Sequence, residues 1–143
     1  MISYSMVLPM IFVDTTAWLA LEVEDDENHA SATTFREELR VGRYGALLTS
    51  DYVLDEVITL LRLKKGAEPS LKFADKVLRS RSISLIWIDR LIFDEALKLL
   101  KERPDKKWSF TDCTSFVIMK QLSVNETFAF DQNFEQAGFI RLP

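Results

Sequence analysis

Four acidic residues stand where an acid serves no purpose of solubility. Asp14 ends the apolar run Ile11-Phe12-Val13, and Asp131 ends Thr127-Phe128-Ala129-Phe130. Asp112 opens an apolar helical stretch, and Glu56 lies at the edge of another. Buried carboxylates without partners are costly, and no Arg or Lys adjoins any of the four in sequence. If the fold gathers them, mutual repulsion raises some of their pKa values, and a hard divalent cation relieves it. Oxygen-only ligands suit Mg²⁺ or Mn²⁺ rather than zinc. Such an ion can hold a phosphate, activate a water and stabilise a leaving oxygen.

Each acid also has a plainer reading. Asp14 and Asp131, at predicted strand ends, can serve as N-caps. Asp112, three residues after Ser109, fits a capping box or a helix-dipole partner. An isolated Glu56 is an ordinary solvated charge. The set in this order says more than any member does.

Composition narrows the chemistry further. With 143 residues, 48% apolar and 28% charged, the chain reads as one globular domain. A net charge of −4 does not attract phosphate, so a nucleic-acid role needs a local basic patch or bound cations. One cysteine, Cys113, rules out an internal disulfide and reads as a small core residue. One histidine, His29, reads as a loop or surface residue. A zinc site built from Cys and His is therefore almost excluded. The first ten residues lack a basic segment, so a signal peptide is not expected, nor is a membrane span. A cytoplasmic protein is expected. Residues 1–9 read as an N-terminal extension before a single domain over 10–143, with Met6 or Met10 as alternative starts to Met1.

The elements that must position the acids follow from periodicity. Strands are predicted at Ile11–Val13, Ala46–Thr49, Leu85–Ile88, Thr127–Phe130 and Phe139–Leu142. A short helix follows Asp14, and another runs from His29, with Asn28 as N-cap, to about Arg40. Thr49-Ser50-Asp51 caps a helix over Tyr52–Lys65, whose apolar stripe is Val53, Val57, Leu60 and Leu61. On it Asp55 points to solvent, while Glu56 can reach a partly buried site. Further helices are predicted at Pro69–Arg79, Arg90–Arg103 behind Asp89, and Asp112–Leu122. Gln132-Asn133-Phe134-Glu135 reads as a polar turn. Strands alternating with helix pairs predict a parallel sheet covered on both faces, a three-layer α/β/α sandwich. Ligands of such sheets bind at the carboxyl ends of the strands, where Asp14 is expected.

Several stretches together resemble the PIN domain, and within it the VapC-like toxins of toxin–antitoxin pairs. They are Ile11 to Trp18, Leu48-Thr49-Ser50 with Leu54-Asp55-Glu56-Val57, Ser109-Phe110-Thr111-Asp112, and Phe130-Asp131-Gln132-Asn133-Phe134, with Asn28-His29-Ala30 as a further match. The resemblance covers essentially the whole chain after Met10. It implies a Rossmann-like α/β/α sandwich and Mg²⁺- or Mn²⁺-dependent cleavage of RNA. It also implies metal binding by Asp14, Glu56, Asp112 and Asp131, a cognate antitoxin lying along or into the acidic cleft, and a homodimer. Many members carry Ser or Thr where this chain has Ala129, and some carry an acid where it has Phe116. These departures leave a second metal position open.

RNA would need basic neighbours. Candidates are Arg36, Arg40 and Arg43, then Arg62, Lys64 and Lys65, then Lys101, Arg103, Lys106 and Lys107. Most of these also read as solvated helix ends. Trp108 either stacks on a base or packs at a rim. Two other function classes compete: a PIN-fold module that binds RNA or protein without cutting, and a phosphatase with a nucleophilic Asp14. The four intact acids argue against the first. Against the second, Asp14-Thr15-Thr16 lacks the second acid two residues on that haloacid-dehalogenase-like enzymes need.

Overall fold

The computed structural model describes residues 8–143. The expected extension over 1–9, apart from Leu8 and Pro9, and the candidate starts Met1 and Met6 lie outside the described residues; Met10 is the first residue of β1. In chain order the elements are β1 (Met10–Val13), α1 (Thr15–Glu22), α2 (His29–Arg40), β2 (Ala46–Ser50), α3 (Asp51–Lys65), α4 (Ala67–Arg79) and β3 (Ile83–Ile86). Then come α5 (Arg90–Glu102), α6 (Phe110–Gln121), β4 (Glu126–Phe128), α7 (Asn133–Gln136) and β5 (Ile140–Leu142).

The five strands form one sheet in the order β3-β2-β1-β4-β5, every neighbouring pair parallel. The chain winds outward from β1 to β3 and then returns to the other side of β1 as β4. The junction of β1 and β4 is therefore the topological switch point, where open α/β sheets leave a crevice at their carboxyl ends.

Alternation along the strands assigns the layers. Val13 is paired with Phe128, and Phe12 with Thr127, so Phe12 and Phe128 face opposite sides of the sheet. Phe128 packs against Phe35 of α2 with ring centroids 4.8 Å apart. Phe12 packs against Phe134 of α7 at 6.4 Å. Helices thus cover both faces, the three-layer α/β/α sandwich expected. Ile11, Phe12, Val13 and Phe128 are essentially fully buried, as strands covered on both faces must be.

Helix starts are set by short polar side chains at strand exits. Asp14 is extended (φ −85°, ψ 164°) and accepts from the Thr16 N–H; Ser50 accepts from Val53 N–H and Asp89 from Ile92 N–H. Asn28 occupies the cap position of α2, but its side chain makes no capping bond. Gly45, at φ +79°, lets the chain pass Pro9: an added Cβ would lie 2.0 Å from the Pro9 carbonyl oxygen.

The sequence reading is displaced by two residues in four elements. The third strand is Ile83–Ile86 rather than Leu85–Ile88, because the Ile88 N–H leaves the sheet to donate to Asp51 Oδ1 at 2.8 Å. Helix α4 begins at Ala67, since Pro69 in the first turn lacks only an N–H that has no helical partner there. Helix α6 begins at Phe110 rather than Asp112, because Ser109 is its cap. Strand β4 stops at Phe128; the Phe130 N–H donates to Thr16 Oγ1 at 3.0 Å, so Asp131 is carried beyond the strand into a turn.

That turn opens α7, and Phe134, read from sequence as part of a polar turn, is fully buried between Phe12 and Phe116. Phe134→Ala should lower unfolding free energy by about 3–5 kcal/mol, measured by urea denaturation, because it leaves a phenyl-sized void.

Candidate functional site

The four acids arrive from separate elements at the carboxyl end of the sheet, about its switch point. Asp14 follows β1, Glu56 stands in the second turn of α3, Asp112 in the first turn of α6, and Asp131 between β4 and α7. Asp14 and Asp112 are buried, and Glu56 and Asp131 are half-buried. Asp55, next to Glu56, is exposed, as the helical phase predicts.

The carboxylates are held by neutral donors. Thr16 Oγ1 donates to Asp14 Oδ2 at 2.8 Å while accepting from Phe130 N, so one hydroxyl links the first acid to the segment that delivers the last. Thr15 Oγ1 donates to Glu56 Oε1 at 2.8 Å, bridging α1 to α3. Asn133 Nδ2 donates to Asp112 Oδ2 at 3.0 Å, and the Asn133 N–H donates to Asp131 Oδ1 at 2.9 Å. Asp112 also completes a capping box with Ser109. The plainer readings of Asp14 and Asp112 therefore hold, and the bonds that cap a helix also aim a carboxylate.

Their electrostatics are those of a strained acidic group. Burial, and then the neighbouring Asp131 and Asp112, push Asp14 up from 3.8 to about 7 against the opposing pull of Thr16. Burial also raises Glu56, opposed by the Thr15 hydroxyl and reinforced by Asp112. Asp131 is raised by burial and by Asp112, while the Asn133 N–H and Arg141 act the other way. Burial lifts the Cys113 thiol to about 11, so it is a core residue and no nucleophile.

The donor set suits a hard divalent cation: carboxylate oxygens only, mutually repelling, with neutral hydroxyl and amide donors and no ion pair to any of the four among the described residues. In the arrangement seen, no three His, Cys, Asp or Glu side chains among the described residues are already drawn into a ligating cluster. Each acid is turned instead toward its own donor. Ala129 and Phe116 add no oxygen; Phe116 is buried against Trp108, Phe134 and Phe139.

The other candidates fall elsewhere. Trp108 is buried, donates from Nε1 to Gln136 Oε1 at 3.2 Å and carries Arg103 over its ring at 5.3 Å, so it packs and cannot stack on a base. Arg40, Arg43 and Arg103 pair with Glu37, Glu38 and Asp105. Arg62, Lys64, Lys65, Lys101 and Lys107 are exposed, and Arg36 and Lys106 half-buried. None of these ten is among the groups that shift the acids; the cation that does so is Arg141. His29 is half-buried, with Nδ1 2.7 Å from the Ala20 carbonyl oxygen, and tacks α2 to α1.

Thr15, Thr16 and Asn133 were not singled out from sequence. The available signal was two hydroxyls directly after Asp14 and an amide two residues after Asp131.

Comparison with known proteins comes to one family. The family model described as "PIN domain" matches residues 11–140. The 23S rRNA-specific endonuclease VapC20 of Mycobacterium tuberculosis is 30% identical over 133 residues, covering 93% of this chain and 98% of that protein. A VapC ribonuclease of Archaeoglobus fulgidus is 28% identical, covering 85% of this chain and 77% of that one. The crystal structure of VapC20, described as a sarcin-ricin loop cleaving toxin, superposes with a TM-score of 0.82 over 91% of this chain and 96% of its own. VapBC2 from Rickettsia felis, at 11% identity and a TM-score of 0.65 over 92% of this chain and 96% of its own, shares the fold.

The raised Asp14 has a consequence for stability. Folding favours its protonated form, so that contribution is in place below 3.8 and is lost as pH rises through about 7. Asp14→Asn, neutral at every pH and still able to cap, should therefore stabilise the metal-free protein by about 2–4 kcal/mol at pH 8 and by much less at pH 4. Urea unfolding in EDTA at the two pH values measures this; an equal effect at both would remove the charge-repulsion account.

Proposed function

This chain belongs to the PIN domain family, and from that premise we propose that it is a divalent-metal-dependent ribonuclease, the toxin of a toxin–antitoxin pair. The observation that carries this reading is the convergence of Asp14, Glu56, Asp112 and Asp131 on one sheet end, each held by a neutral donor. A binding module has no use for four acids kept together against their own repulsion.

Asp14, Glu56 and Asp112 would be the core ligands of Mg²⁺ or Mn²⁺, with Asp131 completing the site. When bound, the ion would neutralise phosphate charge, lower the pKa of a water and stabilise the leaving oxygen. The chain's own part is to present the oxygens. Thr16 fixes Asp14, Thr15 fixes Glu56, and Asn133 orients Asp112 while its backbone holds Asp131. Burial keeps the acids out of bulk water, which strengthens their field on anything that enters. The elevated Asp14 also means that metal must displace a proton below about pH 7, so cleavage should rise with pH through that range.

The similarity to VapC20 across nearly the whole chain supports a structured ribosomal RNA loop as substrate. An antitoxin segment covering the acids, a homodimer and a cytoplasmic setting complete the proposal. Among the described residues, no helix is long and apolar enough to cross a membrane.

Incubation with small structured RNAs tests the reading. Wild type should cut with Mg²⁺ or Mn²⁺ and not in EDTA, and Asp14→Asn should lose at least about a hundredfold in rate. Thr16→Val should lower the rate by about tenfold, since it removes one charge-assisted hydrogen bond while keeping the side chain's shape. If folded, antitoxin-free protein cuts none of a broad RNA pool, the non-cutting module replaces the nuclease.

A further inference from the structure

Beside the acids lies a row of aromatic side chains to which carboxylate chemistry gives no task. Tyr52 and Glu56 are four residues apart on α3 and so share one side of that helix. The Tyr52 ring lies 6.1 Å from that of Phe110, and the Phe110 ring meets Phe93 edge-on at 4.9 Å. Phe110 belongs to the same turn of α6 as Asp112, and Phe93 to the first turn of α5. Tyr52 and Phe110 are half-buried, and Phe93 is 37% exposed. The row therefore begins one helical turn from Glu56 and ends in solvent. Its base is fixed, because Asp51, the residue before Tyr52, binds the Ile88 N–H at 2.8 Å.

The cations about this row are only partly engaged: Lys106 and Lys107, just before α6, are in no ion pair among the described residues. The chain carries −4 overall. Near the entrances to α5 and α6, Arg90 is paired with Asp94 at 3.0 Å and Arg103 with Asp105 at 3.0 Å. Arg141, the cation that acts on Asp131, is paired with Glu135 at 2.6 Å. Phosphate contacts supply most nucleic-acid affinity where cations are free; here the arginines are engaged, and that part falls to lysines such as Lys106 and Lys107. Stacking on aromatic rings does not depend on charge and accepts every base. Because Tyr52 lies one turn from Glu56, an RNA whose phosphodiester reaches the acids has its flanking nucleotide beside this row.

We infer that Tyr52, Phe110 and Phe93 form a ledge on which unpaired nucleobases next to the scissile phosphodiester stack. The inference rests on the ribonuclease reading above and adds to it a substrate requirement: bases splayed out of the helix at the cut. A peptide segment or a second copy of this chain are the competing occupants.

Two substitutions of Phe93 test it. Phe93→Leu keeps an apolar contact for Phe110 but removes the π-face, whereas Phe93→Tyr keeps both. On an RNA hairpin with an unpaired loop, Phe93→Leu should raise KM about tenfold with kcat nearly unchanged, and Phe93→Tyr should behave as wild type. In parallel, a hairpin carrying 2-aminopurine in the loop is titrated in EDTA, where no cutting is expected, with Asp14→Asn protein. Its fluorescence should be quenched, and the quench lost when Phe93→Leu is added but kept with Phe93→Tyr. Unchanged KM and unchanged quenching in Phe93→Leu would overturn the ledge. So would a switch of the free protein from dimer to monomer with RNA binding unaltered, which would make this face a contact between copies. Quenching that depends on Phe93 without any metal-dependent cutting would uphold the ledge and remove the nuclease instead.

Discussion

Like charges kept close at the switch point of the sheet are the constraint on which the rest of this structure depends. Four carboxylates gather where β1 and β4 diverge, and Asp14 is almost fully buried there. Nothing about folding favours this; repulsion and desolvation both raise the acids' proton affinity. The surrounding fold tolerates the charge by supplying neutral donors. Thr15, Thr16 and Asn133 each give a hydrogen bond to one acid from the element next to it. A lysine in any of these places would neutralise the acid more fully, and would also occupy the place of a cation.

The same bonds join distant parts of the chain. Thr16 holds Phe130, and so the path from β4 to Asp131, against the start of α1. Asn133 ties the entry of α7 to the first turn of α6. On the sheet's inner strands, Thr49 and Thr127 hydroxyls donate to the Val13 and Phe12 carbonyl oxygens at 3.0 and 2.9 Å. The end of β1 is thus anchored from both sides immediately before Asp14. The geometry of the site is a property of the sheet core, while the aromatic row beside it belongs to the helix entrances of α3, α5 and α6.

Surface electrostatics contribute little to this arrangement. Most of the ion pairs join exposed groups, several of them close in sequence, and such pairs stabilise weakly. The basic residues that looked from sequence like an RNA track are either paired or remote from the acids in their influence.

The acids, their order and the parallel α/β frame were legible in the sequence because each leaves a local trace. An apolar run broken by Asp14, a helical stripe with Glu56 at its edge, and Ser109 three residues before Asp112 need no knowledge of the partner. Capping follows the same logic, and Ser50 and Asp89 cap where local pattern places them. What the sequence could not decide depends on contacts between residues far apart in the chain. The apolar run through Phe130 looks like strand to its end, yet Thr16, 114 residues away, takes its N–H and turns Asp131 off the sheet. Trp108 beside two lysines reads from sequence as either a base-stacking ring or rim packing, and only the enclosing Gln136 and Phe116 decide for packing. Gln132 to Glu135 looks polar, yet Phe134 plugs the core between Phe12 and Phe116. Local pattern fixes which groups are present and which face each presents; only tertiary packing decides which donor meets which acid, because that pairing is set by through-space distance and leaves no period in the chain.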